Sequence, residues 1–295
     1  MSRYNIENFK TTFSQLENKN MDDEIFNILS ELAKNLNCTI DKNKKKKDNN
    51  KYLDAIKNFK TTQIKTDNED ENKYFQNIRK TLNMVTESNY IKYLDEIYNN
   101  LEYIKINFND KYNEICKQIF QILSINYLYC KCYSKIYKSL IDKDSIFKEL
   151  LVNDINNFQN FFDSLIYISP DENYEKFCEY NKSNEKRRAK ILFFANLYLI
   201  DVINNEDIYK ILNLIFYKLT EYLSIKNKNN EIDEISEYNY LFITTIYNTL
   251  LVNNNEYADN IFKKITEISN YKIKNYTSLT NKCIFKHMDI IDEIS

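Results

Sequence analysis

A chain of 295 residues with no glycine and a single proline, Pro170, is barred from most folds by its backbone alone. Glycine enters left-handed conformations and allows close backbone approach at little cost, and tight hairpins, phosphate-cradling loops and strand-to-helix elbows depend on it. Hairpin-rich barrels, dinucleotide-binding folds and Walker-type nucleotide sites are therefore disfavoured. Helices joined by turns of asparagine, aspartate, serine and threonine tolerate the lack, because those side chains satisfy free backbone groups at helix ends. The chain holds 45 asparagines, and lysine far outnumbers its four arginines (Arg3, Arg79, Arg187, Arg188). That bias matches AT-rich coding and is not itself a sign of function.

Apolar periodicity points the same way. Phe75, Ile78, Leu82 and Val85 follow steps of 3, 4 and 3, and Ile208, Ile211, Leu212, Ile215, Leu219 and Tyr222 repeat the rule, so both stretches are expected to be amphipathic helices. Breaks are expected at 86–89, 107–110, 124–126, 142–144, 169–171, 204–207, 227–230 and 253–255, where the capping residues cluster. They divide residues 72–295 into about ten helices of roughly 14 to 22 residues, paired as antiparallel hairpins near 72–104, 109–141, 144–203, 206–252 and 255–294. The third and fourth pairs are expected to hold the longer connections. A spacing near 40 residues is that of HEAT-type repeats, so the expected fold is all-α, a solenoid of about five helical hairpins. Residues 1–71 read differently. One or two short amphipathic helices over 5–36, a lysine and asparagine run over 41–51 and an acidic bridge over 67–71 suggest a loosely attached N-terminal arm.

The formal net charge of −2 argues against a protein that coats nucleic acid through overall charge, so any steering must be local. The first residues lack the apolar stretch of a signal peptide, and the longest apolar run, 191–203, is too short to span a bilayer. A cytoplasmic protein with no membrane partner is expected. The six cysteines form no CxxC pair and are expected to be reduced structural thiols, with no metal and no cofactor. No nucleophile with a base partner and no paired carboxylates stand out, so a non-catalytic protein is expected. His287 is the chain's single histidine and reads as packing or surface.

Two basic clusters carry more information. Lys182, Lys186, Arg187, Arg188 and Lys190 crowd the expected start of a helix, where the macrodipole disfavours positive charge. Either an anionic partner offsets the repulsion, with the two arginines suited to bidentate recognition, or the run is a solvated face. Lys42 to Lys47, including Lys44, Lys45, Lys46 and Lys47, lies in the arm and is either a tether for RNA phosphates or a product of the coding bias.

Several stretches also resemble a known family. Arg79-Lys-Thr-Leu-Asn-Met-Val-Thr-Glu-Ser-Asn-Tyr90 is similar to the "R-x-x-L-N-K-L-T-x-x-x-F" opening of the middle domain of eukaryotic translation initiation factor 4G. Ile119-Phe120, Tyr133-Ser-Lys-Ile136 and Leu140 resemble its second repeat. Arg187-Arg188-Ala-Lys-Ile-Leu-Phe193-Phe194-Ala-Asn-Leu197-Tyr198 resembles its third, with Ala195 where the family has glycine and Asn196 where it has an acidic residue. Phe285-Lys-His-Met-Asp289-Ile-Ile-Asp292 resembles the helix closing the fifth, with Ile284 in place of an arginine. The matches fall in family order across about 220 residues.

The resemblance implies a crescent of helical hairpins that binds and stimulates a DEAD-box RNA helicase of the initiation factor 4A type and also contacts RNA. With it, Leu82, Val85, Arg187, Arg188, Phe285, Lys286 and Asp289 are candidates for the helicase, while the local charge of the two basic clusters makes Lys182, Lys186, Lys190 and Lys44 to Lys47 candidates for RNA. For Leu82 and Val85 the competing reading is the core of their own hairpin, and for Phe285 and Lys286 it is core packing and solvation. Tyr209-Lys-Ile-Leu-Asn-Leu214-Ile215 fits the family pattern for gripping the cap-binding protein, but it coincides with the buried stripe of an expected helix. Tyr4-Asn-Ile-Glu-Asn-Phe9-Lys10 departs from that pattern at two positions, so no motif supports a cap-binding partner. Two rival readings remain: a related middle-domain scaffold of RNA processing or decay, and a helical-repeat adaptor for an unrelated protein partner.

Overall fold

In the computed structural model, which describes residues 71–295, every regular element is helical. The helices are α1 (Glu71–Leu82), α2 (Tyr90–Asn107), α3 (Asn109–Ser124), α4 (Cys130–Lys143), α5 (Ser145–Asn156), α6 (Tyr174–Leu199), α7 (Asn205–Leu223), α8 (Asn229–Asn253), α9 (Asn255–Ser269) and α10 (Asn281–Ile294). Short 3-10 turns occur at Phe158–Phe161 and Ile273–Asn275. The five expected pairs correspond in chain order to α1/α2, α3/α4, α5/α6, α7/α8 and α9/α10, but α5 does not pack on α6, so the third is corrected: it is not a hairpin. One of the two long connections differs from expectation. They are 157–173, within the third pair, and 270–280, within the fifth, whereas the fourth pair turns in the five residues 224–228. Helix lengths run from 12 to 26 residues, a wider range than periodicity suggested. What was expected of residues 1–70 falls outside the described residues, and Glu71, expected in the acidic bridge, opens α1.

Local chemistry explains five of the ten helix starts among the described residues. Asp144, Asn173, Asn204, Asn254 and Thr280 each accept a backbone N–H of the first turn through a side-chain oxygen, at 2.9–3.1 Å. These contacts satisfy donors that no helical carbonyl can reach. Helix ends need the other half of the solution. After α6, Val202 N–H donates to Leu197 O at 2.9 Å while Asp201 sits at φ 60°, a Schellman arrangement with aspartate where glycine is usual. Asn227 also holds left-handed backbone, at φ 62°, in the turn between α7 and α8. A tyrosine closes the end of α1, where Tyr133 O–H donates to Leu82 O at 3.1 Å, and Tyr137 O–H ties α4 to the first turn of α5 by donating to Phe147 O at 2.6 Å.

The stripes read from sequence are the core. Phe75, Ile78, Leu82, Ile208, Ile211, Leu212, Ile215 and Leu219 are all buried, joined by the aromatic cluster of Phe120, Tyr137 and Phe193. The second helices of successive pairs pack on one another in chain order, α4 on α6, α6 on α8 and α8 on α10, with α2 touching α4. Four of the first helices pack on their own partners, while α5 leans on α3 and α4. Helix α8 touches α6, α7, α9 and α10, and α3 touches α1, α2, α4, α5 and α6. Among the described residues no helix is long and apolar enough to cross a membrane.

Candidate functional site

The basic cluster on α6 stands elsewhere than its sequence suggested. Because α6 begins at Tyr174, Arg187 and Arg188 lie in the middle of a 26-residue helix, where the dipole exerts no repulsion. Arg187 is only 7% exposed, and it donates to Asn184 Oδ1 at 2.6 Å, Ser164 O at 2.7 Å and Ser164 Oγ at 2.6 Å. Arg188 forms a bidentate pair with the buried carboxylate of Glu234 on α8, at 2.7 and 2.5 Å. Lys190 bonds Asp154 of α5 at 2.9 Å and lies over the Phe120 ring. These three cations hold α6 against α8, α5 and the 157–173 connection, so the expectation of a partner-facing arginine pair is corrected. A buried guanidinium needs acceptors at hand, and the fold supplies them internally. Lys182 and Lys186 are exposed, but Glu179 and Glu185 are exposed beside them, giving a mixed surface.

Leu82 and Val85 are each 1% exposed, so both belong to the core and not to a partner surface. The apolar stripe of α1 runs on past the helix end and carries Val85 inward with it. On α10, Phe285 is 58% exposed and Asp289 is exposed, in keeping with an outward face. Lys286 is partly engaged: its ammonium pairs with Glu237 at 3.1 Å and sits over the Tyr240 ring at 4.4 Å. Lys44 to Lys47 lie outside the described residues.

His287 packs between α10 and α8 and is fully buried. Its Nδ1 lies 2.8 Å from the Cys283 carbonyl, which fixes the proton there, and Nε2 accepts from Asn239 Nδ2 at 3.3 Å. Burial pulls its pKa down to about 4 against the opposing bond to Cys283, so the ring is neutral and structural. Burial likewise pushes the thiols of Cys116 and Cys283 up to about 12 and about 11. Such thiols are poor nucleophiles. Among the described residues no three His, Cys, Asp or Glu side chains gather as metal ligands would.

What sequence reasoning missed is an apolar edge on the first two pair loops. Met84 is 41% exposed, Tyr127 45%, Leu128 87% and Tyr129 40%. Tyr133 O–H on Leu82 O and the Lys131–Glu87 ion pair at 3.7 Å bring the two loops side by side. The signal was present as the apolar run Ile125-Asn-Tyr-Leu-Tyr129, which was absorbed into a turn because its asparagine marked a break. Exposed apolar side chains gathered on adjacent loops, away from any core, are the usual mark of an interaction surface.

The scan against protein-family models matches none of them, and the search of curated proteins finds no match for the chain.

Proposed function

We propose that this protein is a non-catalytic scaffold of the HEAT-repeat type, similar to the middle domain of translation initiation factor 4G, that binds and stimulates a DEAD-box RNA helicase and contacts RNA. The observation that supports the reading is the row of helices α2, α4, α6, α8 and α10 packed in chain order, four of them paired with the helix before, together with family-like motifs around α1, α3 and α4, α6 and α10. Such a scaffold acts by differential affinity, favouring the helicase conformations that it binds more tightly. The docking edge is placed on the exposed Met84 and Leu128 instead of the buried Leu82 and Val85, with Phe285 and Asp289 on α10 as a second contact.

The test is a pulldown with a factor 4A-type helicase and an assay of its RNA-dependent ATPase. The wild-type chain is expected to form a stoichiometric complex and raise turnover, and Leu128→Glu is expected to weaken both by about tenfold, as for a central apolar anchor. Absence of both effects with the wild-type chain ends the proposal. Charge reversal at Arg187 and Arg188 does not discriminate, because it breaks internal bonds. The engagement of the α6 cluster by internal partners leaves a second reading, a helical-repeat adaptor for an unrelated protein.

A further inference from the structure

Two loops at one edge of the fourth and fifth pairs form a basic surface that no motif announced. Thr277 and Ser278 N–H donate to Leu223 O at 3.0 and 3.3 Å. Ser278 Oγ donates to Ile225 O at 2.5 Å and accepts from Lys228 N–H at 3.0 Å. The 224–228 turn and the 270–280 connection are thereby locked into one unit. Between Glu221 and Glu231, and again from 268 to 288, the sequence has no acidic residue. Lys226, Lys272 and Lys274 are exposed on this unit. The flanking carboxylates are engaged, Glu221 by Lys218 and Glu231 by Lys228, both at 2.8 Å, while Glu267 accepts from Tyr271 O–H at 3.3 Å.

Aromatic rings adjoin the lysines. Tyr271 and Tyr276 pack with centroids 4.7 Å apart, and Tyr271 also lines a groove of about 560 Å³ between α7 and α9. Tyr217, 60% exposed, stands on the far wall, with Lys264 and Asn213 beside it. Lysines that track a backbone, next to rings on which bases stack, are the two ingredients of single-stranded nucleic-acid binding. The exposed aliphatic area is two isolated tips, Ile225 and Ile273, at 41% and 42%, too little to anchor a membrane surface.

We propose that this edge is the RNA-contacting surface of the protein, with Lys226, Lys272 and Lys274 on the phosphates of a single strand and Tyr217 and Tyr271 stacking its bases in the α7–α9 groove. It rests on the reading of the protein as an RNA-contacting scaffold and moves that contact away from α6 and the arm lysines.

The experiment is fluorescence anisotropy of the full chain with labelled oligo(U) RNA across a salt series, with oligo(dT) as the DNA counterpart and phosphatidylserine vesicles as the lipid counterpart. Lys226→Glu, Lys272→Glu and Lys274→Glu combined are expected to weaken RNA binding at least about tenfold and to lower the log–log salt slope by about 2, the share of three single-strand phosphate contacts. Tyr217→Ala, at an exposed position, is expected to weaken binding about tenfold with the slope unchanged, as loss of stacking does. Lys182→Glu with Lys186→Glu is expected to leave binding within about twofold, since neither contacts the strand in this arrangement. The proposal is overturned by no RNA binding of the wild type at low salt, by a triple variant that binds as the wild type does, by equal loss in the α6 control, or by vesicle binding in place of RNA. Oligo(dT) binding as tight as oligo(U) changes the ligand to any single strand and overturns RNA preference. Helicase capture measured on the same variants separates the two readings: a triple variant that loses RNA and keeps the helicase supports this surface, whatever becomes of ATPase stimulation.

Discussion

Asp201 and Asn227 bear the local cost of a chain without glycine. Both hold left-handed backbone, at φ 60° and 62°, where an L-residue with a Cβ is strained by roughly 1 kcal/mol and asparagine and aspartate by somewhat less. Replacing either with glycine relieves that strain while adding entropy to the unfolded chain, so Asn227→Gly is expected to stabilise by about 0.5 kcal/mol, read from the urea midpoint. His287 gives a pH dependence of definite sign. Its folded pKa of about 4 lies below the ordinary 6.5, so between those values the unfolded chain binds a proton that the native chain does not. Its contribution is whole above pH 6.5 and is lost as pH falls toward 4, about 1.4 kcal/mol per unit and about 3 kcal/mol in all. Urea titrations at pH 7 and 5 check this, with His287→Gln showing the smaller difference. As the chain's single imidazole, it also gives one NMR titration curve, expected to stay neutral at pH 5.

Between elements, polar contacts set which helix faces which. The Arg188–Glu234 pair joins α6 to α8, and Glu234 has only 8% of its side chain exposed, so Arg188→Ala strands a buried carboxylate. A loss of about 3 kcal/mol is expected in equilibrium unfolding, whereas Lys182→Ala on the exposed part of the same helix is expected to change stability by less than about 0.5 kcal/mol. Helix starts were legible because an asparagine or aspartate before an apolar stripe has one good use, and Asn204 and Asn254 serve it. Asn254→Ala is expected to cost about 1 kcal/mol through the lost bond to Tyr257 N–H. The start of α6 was not legible. Its first thirteen residues carry glutamate and lysine on an exposed surface, so the apolar rhythm that marks a helix sets in only near Ala189. The 270–280 connection was missed for the opposite reason, because Tyr271, Ile273 and Tyr276 continue an apolar pattern through a segment that is not α-helical.

At the scale of the whole chain, the proposed scaffold predicts that function is disturbed from its loop edges and left intact from α6. Leu128→Glu is expected to weaken helicase capture by about tenfold without shifting the melting temperature by more than about 2 °C, because an 87% exposed side chain contributes little to the core. Arg187→Glu is expected to lower that temperature and to lose capture only in proportion to unfolding. The sequence by itself determined the helical class, most of the breaks between helices and the buried stripes, because helix formation and capping depend on neighbours within a few residues. Only the tertiary structure decided which polar side chains were free. Arg187, Arg188 and Lys190 look alike in sequence to lysines in water, and their partners Ser164, Glu234 and Asp154 lie 23 to 46 positions away. Availability for a partner is what remains after such long-range bonds have formed, and local pattern carries no record of them.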